Sequence, residues 1–166
     1  MKILVPVDSS KAALAPIPHL AALHRAGIEI EALILNVQPR FSHHVARFTS
    51  RSARQMLRAE RSRAAMAQAI QDLAADGVPF RAMTEVGMPA ERIAAVAERE
   101  QVDEIMMGVG RHPAWLRWVN PSIAQGVMAR TDIGVTVFAR GQVGMLQRYA
   151  LPAGVAGLAA LLLATE

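Results

Sequence analysis

The chain has 166 residues, 52% of them apolar and only 4% aromatic, with no cysteine and a formal charge of +4. That length suits one domain with an aliphatic core better than two domains. The lack of cysteine excludes disulfides, thiolate nucleophiles and cysteine-based zinc sites, and gives no sign of an oxidising compartment.

The opening MKILVPVD lacks the charged-then-apolar layout of a secretory leader and reads as a buried strand, so the expected location is cytoplasmic. Lys2 to Val7 is that first strand, and Asp8-Ser9-Ser10 after it is a helix start signal. The helix that follows runs to Ala26-Gly27, its regular part beginning at Pro16 or Pro18, since proline suits only a first turn. Ile28 to Val37 reads as a second strand. From about Val45 to Ala75 the spacing predicts a long helix, with Phe48, Met56, Ala59, Met66, Ile70 and Leu73 on one buried face.

Pro79 to Val86 is a third strand. Gly87-Met88-Pro89-Ala90-Glu91 then opens a short helix reaching about Glu100. Val102 to Met107 is a fourth strand, Asn120-Pro121-Ser122 starts a helix ending near Thr131, and Ile133 to Ala139 is the fifth strand. Strands alternating with helices predict an α/β fold: a parallel sheet with helices on both faces and a ligand crevice at the strands' carboxyl ends.

Residues 1–140 form this domain, and 141–166 read as an apolar C-terminal helical appendix. Tyr149 to Thr165 carries no charge. About sixteen residues of helix span about 24 Å, short of a hydrocarbon core of about 30 Å, so shallow membrane insertion or burial against protein is expected rather than a full span. The small residues Ala153, Gly157, Ala160 and Ala164 would also allow close contact between two tails.

Sixteen of the eighteen basic residues are arginine, and seven lie between Arg40 and Arg63 against one acid, Glu60. Arg47, Arg51, Arg54, Arg58 and Arg61 recur at steps that stack them along one helix face. Arginines four apart repel, so such a stripe is either a solvated face or a surface for an anionic partner, such as the inner leaflet of a membrane. Nucleic acid is the weaker candidate, because neither aromatic interleaving nor a recognition motif accompanies it.

Several segments, in order and at matching intervals, resemble the universal stress protein family: KILVPVDSS, LILNVQP, GMPAERI, IMMG with its long loop to PSIA, and VTVFAR. The resemblance covers residues 1 to 140. It implies a flavodoxin-like (Rossmann-like) five-stranded sheet in the order 3-2-1-4-5, and homodimers formed through the last strand. For many members it also implies ATP, held by a glycine, two residues, a second glycine, nine residues, then Gly-Ser or Gly-Thr.

On this chain the resemblance marks Asp8, Val37, Gly108, Gly110, Ser122 and Ile123 as the cofactor-binding candidates. The second and third glycines of the pattern fall on Arg111 and Pro121. Arginine cannot take positive φ as cheaply as glycine, and proline removes an N–H that an anion at a helix start would use. Gly110 could stand in by a shift of one residue. Trp115 and Trp118, in the same loop, suit either a vacated nucleotide crevice or a partner contact.

No catalytic or metal residues are expected. His43-His44 point in different directions and lack a third ligand at zinc spacing, and Ser9, Ser10 and Ser122 lack a GxSxG setting. The expected function is therefore non-enzymatic: a small dimeric stress-associated regulatory or interaction protein with a degenerate ATP cradle. The alternative is an ATP-binding, nucleotide-dependent switch.

Overall fold

The computed structural model describes residues 1–41, 47–110 and 123–139. In chain order the elements are β1 (Lys2–Pro6), α1 (Ile17–Arg25), β2 (Glu31–Gln38), α2 (Arg51–Ala75), β3 (Phe80–Val86), α3 (Pro89–Arg99), β4 (Glu104–Val109), α4 (Ile123–Met128) and β5 (Gly134–Ala139). All five strands are parallel, in the order β3-β2-β1-β4-β5.

The central strands are covered on both faces, which is why they read as unbroken apolar runs: Ile3, Leu4 and Val5 of β1 and Ala32 to Leu35 of β2 are all fully buried. From β1 to β3 the chain steps one way across the sheet, and from β4 to β5 it steps the other way. Right-handed crossovers then put α1 and α2 on one face and α3 and α4 on the opposite one. Ile3, Val5, Leu20, Ile34, Met66 and Leu73 fill the first interface, and Leu4, Leu33, Leu35, Ile93, Val96 and Val127 fill the second. Burying each such side chain contributes about 1.5–3 kcal/mol.

Three boundaries differ from the sequence reading, each for a local reason. β2 starts at Glu31 because Ile28 is spent closing α1: its N–H bonds Leu23 O at 3.1 Å, just past Gly27 at φ 81°. Similarly, β4 starts at Glu104 because Val102 N–H bonds Ala97 O at 3.0 Å and closes α3, after Gln101 at φ 51°. Most consequential is α2, which starts at Arg51 rather than near Val45. Ser50 is extended, with φ −66° and ψ 159°, and its side chain accepts the Ala53 N–H, the geometry of an N-cap.

Arg47 and Phe48 thus precede α2. Phe48 is 83% exposed and Met56 73%, and Ala59 is exposed too, so the predicted buried face is wrong over its first half. The buried positions are Ser62, Met66, Ala69 and Leu73. Ser62 is satisfied by Thr84 of β3, oxygen to oxygen at 2.5 Å. Regular α1 does begin between the two prolines, as expected, with Pro16 as its N-cap and Pro18 in its first turn. The appendix and its boundary at 140, both tryptophans, and His43-His44 lie outside the described residues. Among the described residues no helix is long and apolar enough to cross a membrane.

Candidate functional site

The crevice begins with a proline. β1 pairs with β2 from Lys2↔Glu31 to Pro6↔Leu35, yet with β4 only at Ile3↔Glu104 and Leu4↔Ile105. Backbone groups alternate sides along a strand, and Val7 N–H donates to Leu35 O on β2 at 2.8 Å. Pro6 therefore turns toward β4, where it has no N–H to give. The ladder stops, and the two strands part where the strand order reverses, the position at which open α/β sheets bind ligands.

The loop after β1 forms one wall. Asp8 is exposed, and its Oδ1 accepts the Ser10 N–H at 2.8 Å. Ser10 Oγ in turn accepts the Ala13 N–H at 3.3 Å, and successive tight turns lead on to Pro16. Asp8 thus has a local structural use as well as its place at the crevice. A shallow depression of ≈ 250 Å³ separates Asp8 to Lys11 from Ala64, Ala65 and Gln68 of α2.

The end of β4 forms the second wall. A Cβ placed on Gly108 would collide with the carbonyl oxygen of Ala12, and would lie 2.7 Å from that carbonyl carbon and 3.0 Å from Ala13 Cα. Gly108 is thus required by the chain's own backbone: it lets the β1–α1 segment and β4 touch main chain to main chain. Gly110, exposed, follows β4 directly.

β2 supplies the floor. Asn36, only 2% exposed, donates from Nδ2 to Val7 O at 2.8 Å, and accepts from Gln38 Nε2 at 2.6 Å. This fixes the exit of β1 and satisfies a carbonyl that would otherwise be stranded in the core. Val37 points to the other face and packs half-buried beside the α3–α4 core. The carbonyl of Gln38 accepts the Gly87 N–H at 3.0 Å, which ties the GMPAE turn to β2. Gly87 sits at φ 153°, and a Cβ there would come within 2.8 Å of Arg92 Nε, so only glycine fits.

The topology gathers Asp8, Val37, Gly108 and Gly110 at one end of the sheet, with Ile123 opening α4, itself 47% exposed. Ser122, Arg111 and Pro121 lie outside the described residues. Sequence reasoning missed Pro6 and Asn36. The first was legible, because a proline in a strand flanked on both sides has to mark an interrupted ladder. The second was not, because its partner is Val7, 29 residues away.

The described charges are mostly committed elsewhere. Arg81 bonds Glu100 at 2.6 Å, Lys2 lies 3.9 Å from the same carboxylate, and Arg99 bridges Glu85 at 3.0 Å and Glu100 at 3.4 Å. The Arg81 hydrogen bond, against a desolvation cost, holds the Glu100 carboxyl below the usual carboxylate range. On α2, Arg54 donates to Thr49 O at 2.8 Å and the Arg58 guanidinium stacks 4.8 Å over the Phe41 ring. Among the described residues no three acids or histidines cluster as metal ligands would.

A doubly wound parallel sheet with an opened switch point defines the chain as a flavodoxin-like α/β protein of the nucleotide-binding type of architecture. More particularly, the chain belongs to the universal stress protein family, which it matches over residues 1–139. Among solved structures it is similar to hypothetical protein MJ0577, with 27% identity and a TM-score of 0.66 over 84% of this chain and 95% of that one. It is similar in fold to the universal stress protein UspA from Lactobacillus plantarum, at 22% identity and TM-score 0.64, covering 83% and 97%. A universal stress protein in complex with cAMP shares the fold at 18% identity and TM-score 0.63, covering 82% and 95%. No curated protein matches the chain.

Proposed function

We propose that this protein is a small regulatory or interaction protein of the stress response that performs no catalysis and binds ATP only weakly. The observation that carries this reading is the fate of the three cradle glycines. Gly108 is held by its own contact with Ala12, and the other two positions are Arg111 and Pro121. A phosphate cradle needs close, donor-rich backbone, and those two residues remove flexibility at one point and a donor at the other.

Homodimerisation through β5 fits the same reading. That edge strand carries no charged residue, and Val137 is 40% exposed, whereas the opposite edge strand β3 is guarded by Arg81 and Glu85. Uncharged open edges invite strand pairing. A cytoplasmic site of action accords with the cysteine-free composition.

Calorimetry with ATP, AMP and cAMP tests the cradle. No saturable binding tighter than millimolar is expected, an affinity of about −4 kcal/mol. Restoring glycine in Arg111→Gly/Pro121→Gly should bring binding into the micromolar range. Micromolar ATP binding by the unaltered chain would overturn the reading in favour of a nucleotide-dependent switch. That second reading is supported by the similar protein solved with cAMP, and by Asp8, Val37, Gly108 and Gly110 sharing one end of the sheet.

A further inference from the structure

Surface helices of globular proteins bury an apolar stripe and turn charge outward. α2 does the first and not the second. At 3.6 residues per turn, the side opposite its buried Ser62, Met66, Ala69 and Leu73 carries Ala53, Met56, Leu57, Glu60, Ala67 and Gln71, all of them exposed, with Ala64 at its edge beside the depression that Asp8 to Lys11 line. Only Glu60 is charged. Of the five arginines on α2, Arg54 and Arg61 stand at one margin of this face and Arg63 at the other, while Arg51 and Arg58 turn toward the packed side.

The first half of the helix also overhangs the domain. From Arg51 to Arg61 there is no buried residue, a length of about 16 Å at 1.5 Å per residue. Met56 is 73% exposed, and Phe48, just ahead of the Ser50 cap, is 83% exposed. Large apolar groups standing free between arginines are costly in water and call for a surface that takes both.

We infer that the outward face of α2 is a docking surface for an anionic lipid bilayer. The order of residues across the face selects this occupant. Met56 and Leu57, one on either side of Glu60, can enter the boundary of the acyl chains, while the long arginines at the rim reach lipid phosphates. Nucleic acid would place its charge contacts at the centre, where this face has Met56, Leu57 and an acid. A second copy packed α2 against α2 would bring the arginine rims together. The inference does not rest on the nucleotide reading, since Met56, Leu57, Arg61 and Arg63 do not line the depression beside Asp8.

Vesicle co-sedimentation of the full chain tests it, with mixed phosphatidylcholine–phosphatidylglycerol vesicles against pure phosphatidylcholine. The protein should sediment with the anionic vesicles only, and added salt should weaken the binding. Arg61→Gln/Arg63→Gln should lower the partition coefficient on the order of thirtyfold, at about a fivefold loss per arginine. Met56→Ser/Leu57→Ser should lower it at least about tenfold. These positions are exposed, so circular dichroism of both variants should match the parent. Absence of lipid-dependent sedimentation overturns the inference. So does unaltered binding by both variants, which would move the contact to the apolar stretch after Gly141. Loss of self-association in Met56→Ser/Leu57→Ser without any vesicle effect would reassign the face to a protein contact.

Discussion

Gly108→Ala adds one methyl group at the point where β4 meets the β1–α1 segment. The new Cβ would lie 2.7 Å from the Ala12 carbonyl carbon and 3.0 Å from Ala13 Cα, in addition to striking the Ala12 oxygen. Unstrained carbon pairs sit at about 3.5–4.0 Å, so the two backbones must part by about 1 Å. Overpacking of this kind costs about 1–3 kcal/mol, and a main-chain obstacle, unlike a flexible side chain, puts this case near the upper figure. For a domain of this size, about 3 kcal/mol lowers Tm by about 6–12 °C. Urea unfolding read by circular dichroism should show the midpoint falling with an unchanged m-value. Gly134→Ala is the matched control: nothing lies within 4 Å of its built Cβ, so it should stay within about 0.5 kcal/mol of the parent. If Gly108→Ala is as stable as Gly134→Ala, the backbone contact that closes this wall of the crevice is not there.

Ser50→Ala removes the cap that starts α2, at a local cost of about 1 kcal/mol. Because the first turns of α2 hold no fully buried residue, amide exchange near Ala53 should speed up several-fold while the global unfolding midpoint barely moves; an equal global loss would show that the overhang is packed after all. Glu100→Gln should flatten the acid limb of the stability curve. The folded carboxyl titrates below its ordinary value of 4.5, so its ion pairs stabilise fully above that pH and are lost as the pH falls through the lower, folded value. Urea midpoints compared between about pH 6 and about pH 3 should therefore fall less in the variant, and a parent-like acid slope would count against the network.

The sheet was legible because burial on both faces leaves a pattern that sequence alone can show, as in ILV of β1 and ALIL of β2. Helix α2 was misread over its first turns because Phe48 stands at the right spacing for the buried face but on the wrong side of a cap. The signal was present, since Thr49-Ser50 precedes the helix just as capping chemistry prefers. Gly108 was legible as a glycine needed for close approach, but not what approaches it, because Ala12 lies 96 positions earlier and only the folded chain brings the two together. Asn36 and Val7 are hidden for the same reason.

The place of β1 has a consequence for how the chain comes together in time. It is the first of the sheet's five strands to be made and the central one, and it is tied to the residue just before β4 by exchanges between Lys2 and Asp103, 101 residues apart. At synthesis rates of about 5–20 residues per second, roughly 5–20 s separate the birth of β1 from that of its second neighbour. During that interval β1 to β3 can assemble with α1 and α2 as a three-stranded half-sheet, whose exposed margin is the strand destined for the middle. Pro6 blunts that margin by withholding one donor, so the residue that opens the crevice in the finished protein also protects the unfinished one from pairing with a neighbouring nascent chain.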